Sequence, residues 1–323
     1  MEIARDSLDD LLAALYPFIL EHGVSNRDSR KGPNLDVVGV TLRLSNPRAR
    51  LSRSRGRGRP FSALGELLWY LSGSDEASFI SAYIGYYAEP GQPDPVPDAY
   101  GPRLRGRMPA RGFGEDQLAA VVEALGGRPG TRRAIVQLYD STDRAHEGDV
   151  PCTTALQFHA RDGALHMTAT MRSNDAWLGL PHDLFCFTML QEMITVRLGL
   201  RLGEYVHFAS SMHIYESSLD GVRSYLAEGF QRIAPMPPMP PGDPFRDVEA
   251  LMEVDRLVRT GGTVDFSGLG LDEYYEDLAR LVFANFHRGE RLDEALDGLH
   301  HPEYHTYIDD RRRSAARREP EKR

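Results

Sequence analysis

Cys152 stands in Pro151-Cys152-Thr153-Thr154, behind a polar loop and at the entrance to a stretch that alternates like a strand. Cysteine is most often a small core residue, and Cys186, inside an apolar stretch, keeps that reading. Cys152 differs because arginines follow where a hairpin would bring them back: Arg172 one hairpin on, with Arg132 and Arg133 as further candidates. A nearby guanidinium lowers a thiol's pKa from about 8.5 and creates the thiolate nucleophile. A second group lies in Met171-Arg172-Ser173-Asn174-Asp175-Ala176-Trp177-Leu178-Gly179-Leu180-Pro181-His182-Asp183. Arg172 and Ser173 suit a phosphate, one by its planar fork and the other by a short hydroxyl. Asp175 and Asp183 flank a Gly-Leu-Pro bend, and Asp183 also stands where a helix N-cap is expected. His213-Ile214-Tyr215 sets two polar rings on one face of a strand, and Glu66 is the one acid in the apolar run Phe61 to Leu71. His300, His301, Glu303 and His305 read as a solvated helix end in preference to a metal site, so no metal is expected.

The elements that must position these groups follow from periodicity. Leu8, Leu11, Leu12, Leu15 and Ile19 recur at helical spacing behind Ser7 and Asp10, a capping box with Asp in place of Glu. Residues 36–44, 133–139, 154–159 and 165–171 read as strands, with Asp162-Gly163 as a hairpin turn. Residues 61–71 and 184–198 read as buried helices, the latter stopped by Gly199. Residues 205–208 and 212–215 read as two short extended pieces. The Arg/Gly/Ser-rich run 48–59 reads as a solvated loop, with anion binding as the functional alternative. Pro235 to Pro244 marks a polyproline-like boundary, followed by helices over 248–258, 271–286 and 292–299 and a charged tail, Arg311 to Arg323, expected to be disordered.

The chain has 323 residues, a formal net charge of −9 and two cysteines. Its acidity argues against sequence-independent nucleic-acid binding, and two cysteines build no disulfide scaffold. The absence of a signal-like start or a long apolar run makes a cytoplasmic protein without membrane attachment the expectation.

In order and spacing these motifs resemble the thymidylate synthase superfamily over roughly residues 7–230. The resemblance rests on Gly65-Glu66-Leu67-Leu68-Trp69-Tyr70-Leu71, Tyr100-Gly101, Thr131-Arg132-Arg133, Cys152 with Gln157-Phe158, and Arg172-Ser173-Asn174-Asp175. Leu178-Gly179-Leu180-Pro181, Gly203-Glu204-Tyr205-Val206-His207 and His213-Ile214-Tyr215 complete it. It implies an α/β (α+β) three-layer fold with a bent mixed β-sheet over residues 1–234, and a Pro-rich linker with a helical extension over 235–323. It implies 5,10-methylenetetrahydrofolate as cosubstrate and a homodimer in which Arg132 and Arg133 reach the other subunit's site. Cys152 would be the nucleophile, assisted by Arg172, and Glu66 the acid organising proton transfers. Arg30 (with Arg27 as rival), Arg172 and Ser173 would bind phosphate; His213 and Tyr215 the sugar; Asp175 and Gly179 the folate.

Departures point to a branch. Members acting on dUMP carry asparagine where this chain has Asp183; a carboxylate suits the N4 amino group of cytosine and meets uracil O4 as a second acceptor. His182 replaces the usual Phe, and the tail replaces a short apolar end, so water is expected to reach the reacting centre. The pattern resembles the cytidylate 5-hydroxymethylases, with CMP favoured over dCMP because Ala176 leaves room for a 2′-hydroxyl. A thymidylate synthase acting on dUMP, an inactive nucleotide- or RNA-binding relative, and a cysteine hydrolase using His207 or His213 are the alternatives.

Overall fold

The computed structural model describes residues 1–309 and 311, apart from residues 56, 110, 111, 146 and 147. The expectation for the tail, Arg311 to Arg323, falls beyond Arg311 on residues outside that description. Along the chain lie β1 (Glu2–Arg5), α1 (Leu8–His22), β2 (Val24–Asn26), β3 (Asn34–Leu44), α2 (Pro60–Ser72), α3 (Ala77–Ser81), α4 (Tyr100–Leu104) and α5 (Gln117–Gly127). They are followed by β4 (Ile135–Gln137), β5 (Thr153–Arg161), β6 (Ala164–Met171), β7 (Asn174–Asp175), α6 (Gly179–Arg197) and β8 (Arg201–Tyr215). The last described elements are α7 (Leu219–Glu228), α8 (Pro244–Arg259), α9 (Glu273–Phe286) and α10 (Glu290–Asp297).

Helix α1 starts as its residues dictate. The Asp10 N–H donates to Ser7 Oγ at 3.1 Å, and the Ser7 hydroxyl donates to the Asp10 carboxylate at 2.6 Å, so one exposed helix-end donor is satisfied. Leu8, Leu11, Leu12, Leu15 and Ile19 all point into the core. The strands form one mixed sheet in the order β1-β3-β8-β6-β5-β4, with β2 on β3 and β7 on β8. β3 runs antiparallel to β8, β8 parallel to β6, and β6 antiparallel to β5. Bulges interrupt β5/β6 between Thr153 and Ala155 and β6/β8 between Leu165 and Met167; each adds local bend and twist.

Three layers follow from the packing. The sheet rests on α6, α6 carries α2 on its far side, and α8 and α9 close over α2. Thus the helix with Glu66 and the helix with Asp183 face one another between sheet and outer helices. The core is one continuous apolar cluster that runs from Ile3 to Ile308. Met236 and Met239 are buried in it, and their backbone N–H groups donate to Arg48 O and Glu192 Oε1 at 2.8 and 3.2 Å.

Three sequence expectations are corrected. Helix α6 begins at Gly179, five residues before the expected start, because Pro181 lies in a first turn whose N–H groups have no helical partner to lose. Asp183 therefore sits inside the helix and caps nothing. The two short pieces near 205–208 and 212–215 are one strand, β8, carried across Ala209-Ser210-Ser211 by pairing with β3 on one side and β6 and β7 on the other. The 48–59 loop is solvated only in part: Arg55 and Arg59 are exposed, but Arg50 and Arg57 are buried, Arg50 against Glu192 and Arg57 over the Trp177 ring at 4.6 Å.

Candidate active site

The hairpin register delivers the nucleophile and its arginine together. Thr153 pairs with Met171, so Cys152 and Arg172 extend side by side, and the Arg172 N–H donates to Cys152 O at 2.8 Å. The Arg172 guanidinium donates to Pro151 O at 3.0 Å and Val150 O at 2.8 Å, and lies 3.6 Å from Cys152 Sγ. Its effect on the thiol is smaller than expected from sequence. Burial pushes the Cys152 thiol up, Arg172 pulls it back, and the negative charges of Asp183 and Asp98 add to the rise. In this chain alone the net direction is upward, correcting the expectation of a lowered thiol. Arg30 forms an ion pair with Asp149, just before Cys152, and Lys31 stands 3.7 Å from the same carboxylate.

Strand β7 brings in the next groups, since Asp175 pairs with His213 on β8. Asp175 accepts from the Trp177 and Leu178 N–H groups at 2.8 and 3.2 Å, and burial raises its carboxyl above the ordinary range. His213 and Tyr215 meet edge to face at 4.9 Å. Ala176 is fully buried, its N–H donating to His213 O at 2.8 Å. Ser173 is half-buried at the end of β6. Arg132 and Arg133 are exposed before β4; among the described residues no side-chain hydrogen bond or ion pair of theirs joins them to this cluster within one chain.

From the helical side come Glu66, His182 and Asp183. Glu66 Oε1 accepts from the Tyr70 hydroxyl at 2.8 Å, while Oε2 is buried without a hydrogen-bond partner among the described residues and lies 3.6 Å from His182 Nδ1. Burial raises Glu66 to about 7, against the lowering by Tyr70. His182, whose Nε2 is 2.9 Å from Ser62 Oγ, is pushed down to about 3 by burial and by Arg57 and Arg59, and is neutral at ordinary pH. Asp183 is 8% exposed. Burial, then the charge of Glu66, raise its carboxyl well above the ordinary range, opposed by the Asn174 amide, which donates to Oδ2 at 2.7 Å.

Sequence reasoning missed what stands behind these groups. Asn174 Oδ1 is 3.0 Å from His207 Nε2, and His207 Nδ1 is 2.8 Å from Tyr205 Oη; burial holds His207 near 3 and therefore neutral. With both ring nitrogens committed, His207 has none left for a thiol, which removes it as the base of a cysteine hydrolase. The Tyr205/His207 alternation on one strand face was the available signal. Ser62 and Asp98 were also missed and carried none. Gly179 belongs to the same junction: a Cβ there would stand 3.2 Å from Asn174 Nδ2 and 3.5 Å from Asp183 Oδ2. Far from this cluster, His301 Nδ1 is 2.8 Å from Asp277, and His300 Nε2 is 3.3 Å from Glu276. Among the described residues no group of three His, Cys, Asp or Glu side chains could hold a metal ion, and no helix is long and apolar enough to cross a membrane.

The arrangement can hold a phosphate, attack an electrophilic ring carbon with sulfur, hydrogen-bond a heterocycle edge, and move protons near neutral pH. Comparison with known proteins agrees in kind. The thymidylate synthase family model matches residues 13–239. A thymidylate synthase of Symbiobacterium thermophilum is 30% identical over 176 residues, 51% of this chain and 62% of that protein. Thymidylate synthase 1/2 of Encephalitozoon cuniculi is 28% identical over 240 residues, 66% of this chain and 80% of that protein. The match thus spans less than two thirds of the first relative's length.

Proposed function

The chain belongs to the thymidylate synthase family, and from that premise we propose that it 5-hydroxymethylates a cytosine nucleotide, CMP in preference to dCMP. The observation that carries this reading is the buried carboxyl of Asp183 between the Glu66 helix and the Cys152 hairpin, supported from behind by Asn174 at 2.7 Å. Arg30, Arg172 and Ser173 bind the nucleotide phosphate, joined by Arg132 and Arg133 of a second subunit in a homodimer. His213 and Tyr215 bind the sugar. The preference for CMP over dCMP rests on the small side chain at Ala176, a residue that follows Asp175 and whose N–H donates to His213 O at 2.8 Å.

Cys152 Sγ adds to C6 of the pyrimidine and makes C5 a carbon nucleophile. The Arg172 guanidinium favours the thiolate, and the phosphate draws Arg30 and Arg172 into one cluster beside it. Asp183 accepts from the N4 amino group and meets N3, stabilising charge displaced there. The residues fit a folate: among the described residues Glu66 Oε2 has no hydrogen-bond partner and His182 stands beside it, so these two would offer the folate polar contacts, and Asp175 and Gly179 would help to hold it. When bound, 5,10-methylenetetrahydrofolate supplies the one-carbon unit at the oxidation level of formaldehyde. With that unit on C5 as an exocyclic methylene, the C5 proton having been removed, water adds to the methylene carbon, its proton passes to Glu66, and the methylene π pair shifts into the ring. Cys152 then leaves C6, and the ring double bond returns. His182 holds the water and Glu66, near its midpoint at neutral pH, moves the proton.

The reaction consumes no reducing equivalents, so no dihydrofolate forms. The test supplies CMP, dCMP and dUMP with the folate and formaldehyde, follows the absorbance of dihydrofolate and identifies the nucleotide product by mass. Hydroxymethyl-CMP without dihydrofolate is expected. Dihydrofolate with dUMP as the best substrate would sink the reading, and activity retained in Cys152→Ala would sink the mechanism.

A further inference from the structure

Behind Asp183 the hydrogen bond from Asn174 is the first of three in series, and the two beyond it take part in no step of the proposed reaction. Asn174, His207 and Tyr205 are 3%, 0% and 0% exposed. They are joined in series, Tyr205 Oη to His207 Nδ1 at 2.8 Å, His207 Nε2 to Asn174 Oδ1 at 3.0 Å, and Asn174 Nδ2 to Asp183 Oδ2 at 2.7 Å. All three stand on strands, Asn174 on β7 and the two rings on β8, and Asn174 is set by its pairing with Met212. The glycine at 179 leaves the junction of Asn174 and Asp183 uncrowded.

The direction of the series follows from which atoms can donate. An amide oxygen only accepts, so His207 Nε2 carries the ring proton. A neutral imidazole has one N–H, so Nδ1 accepts and the Tyr205 hydroxyl donates. At the other end the Asn174 N–H donates to Asp183 Oδ2. That oxygen is thereby an acceptor, and a proton carried by Asp183 belongs on Oδ1. Such pinning matters because a carboxyl group alone is two-faced. When neutral it can present its O–H and C=O in either order; one order matches the N3 acceptor and N4 donor of cytosine, and the other the O4 acceptor and N3 donor of uracil.

We propose that Asn174, His207 and Tyr205 are specificity-determining positioning residues, whose directed hydrogen-bond series fixes the donor and acceptor order of Asp183 and so discriminates cytosine from uracil. The proposal rests on the reading of Asp183 as the group that faces the base. His207→Phe breaks the series. His207→Gln retains an amide N–H toward Asn174 and an oxygen toward Tyr205. The readout is the ratio of kcat/KM for CMP to that for UMP, each variant against the parent chain. His207→Phe should lower the ratio by about tenfold or more, while His207→Gln should stay within about threefold. Equal losses on both nucleotides in His207→Phe would show a merely structural role and overturn the proposal.

A second measurement needs no substrate and no variant that might fold poorly. Nitrogen NMR of histidine-labelled protein should show His207 as the neutral Nε2–H tautomer. An Nδ1–H tautomer would mean the series runs the other way and would overturn the proposal. If the parent chain prefers the uracil nucleotide, the reading of its function fails. The series is then still judged by whether His207→Phe moves the ratio, in either direction, and by the tautomer.

Discussion

On the proposed function, replacing one carboxyl oxygen of Asp183 by an amide nitrogen would change which pyrimidine edge finds partners. Asp183→Asn should move the kcat/KM ratio of cytosine to uracil nucleotides toward uracil by about 10²–10⁴, the range in which a site leaves polar groups mispaired. A ratio unchanged in that variant would place base recognition elsewhere. Glu66 tests the proton path. Burial raises it to about 7, so it is protonated below that pH and ionised above. If it moves protons in the rate-determining step, kcat has a limb near pH 7. Glu66→Gln should remove that limb and lower kcat by about 10²-fold or more; a limb that survives belongs to another group. At this scale the sequence was informative about residue types and their order. The hairpin sets Arg172 3.6 Å from Cys152 Sγ, and the helices carrying Glu66 and Asp183 pack on each other. Hydrogen-bond partners were not legible, because Ser62 meets His182 and Tyr205 reaches Asp183 through two intermediaries only once sheet and helices pack. The direction of the Cys152 shift was hidden for a similar reason: motif spacing counts arginines and carries no measure of burial.

At the scale of elements, the Arg-rich loop shows how far charge content misleads. Read as solvated, it instead enters the core, because Glu192 on α6 offers it a buried partner. Arg50 and Arg48 bind the two Glu192 oxygens, Arg48 at 2.7 Å, and the Met239 N–H donates at 3.2 Å. Burial by itself would raise Glu192, yet Arg50, Arg48 and the Met239 N–H outweigh it and hold the carboxyl below its ordinary value of 4.5. A carboxyl lowered on folding stabilises the fold above its unfolded pKa, and that contribution is lost as pH falls through the folded value. Glu192→Leu should therefore cost about 3–5 kcal/mol, the penalty for leaving buried arginine charge uncompensated. Urea unfolding at neutral pH measures it, and a loss below about 1 kcal/mol would mean that water or relaxation satisfies the arginines. The same junction ties residues 236–239 to the helix that carries Asp183, so loosening it should also weaken nucleotide binding. Periodicity found α1 because its apolar face repeats, whereas the body of α6 was legible as a continuous apolar run, which the fold buries on all sides. It misplaced the start of α6 and split β8, because Gly, Pro and Ser act as breakers only where no neighbouring element supplies hydrogen bonds or packing.

At the scale of the whole molecule, the proposed homodimer would complete each phosphate site with arginines from the other chain. Arg132 and Arg133 stand exposed before β4 and make no side-chain link to the Cys152 cluster among the described residues. Val38 on β3 and Ile135 on β4 are exposed apolar side chains, 80% and 46%, on the sheet that the proposed homodimer would cover. A two-fold pairing of such faces gives each site the arginines of the opposite chain. Two dead variants then complement each other. Cys152→Ala lacks the nucleophile but keeps its arginines; Arg132→Ala combined with Arg133→Ala keeps the nucleophile but offers no arginines to its neighbour. In a mixed dimer one site joins the intact sulfur of the second variant to the intact arginines of the first, and the other site lacks both. Random reassortment of equal amounts makes half of the dimers mixed, so about one quarter of the sites regain activity. Co-refolding the two variants and assaying turnover per protomer measures this fraction. Recovery near zero would mean that the arginines serve the site of their own chain, or that no dimer of this geometry forms. Sedimentation of the parent chain separates those outcomes: a dimer without complementation points to arginines used in cis, and a monomer removes the shared site.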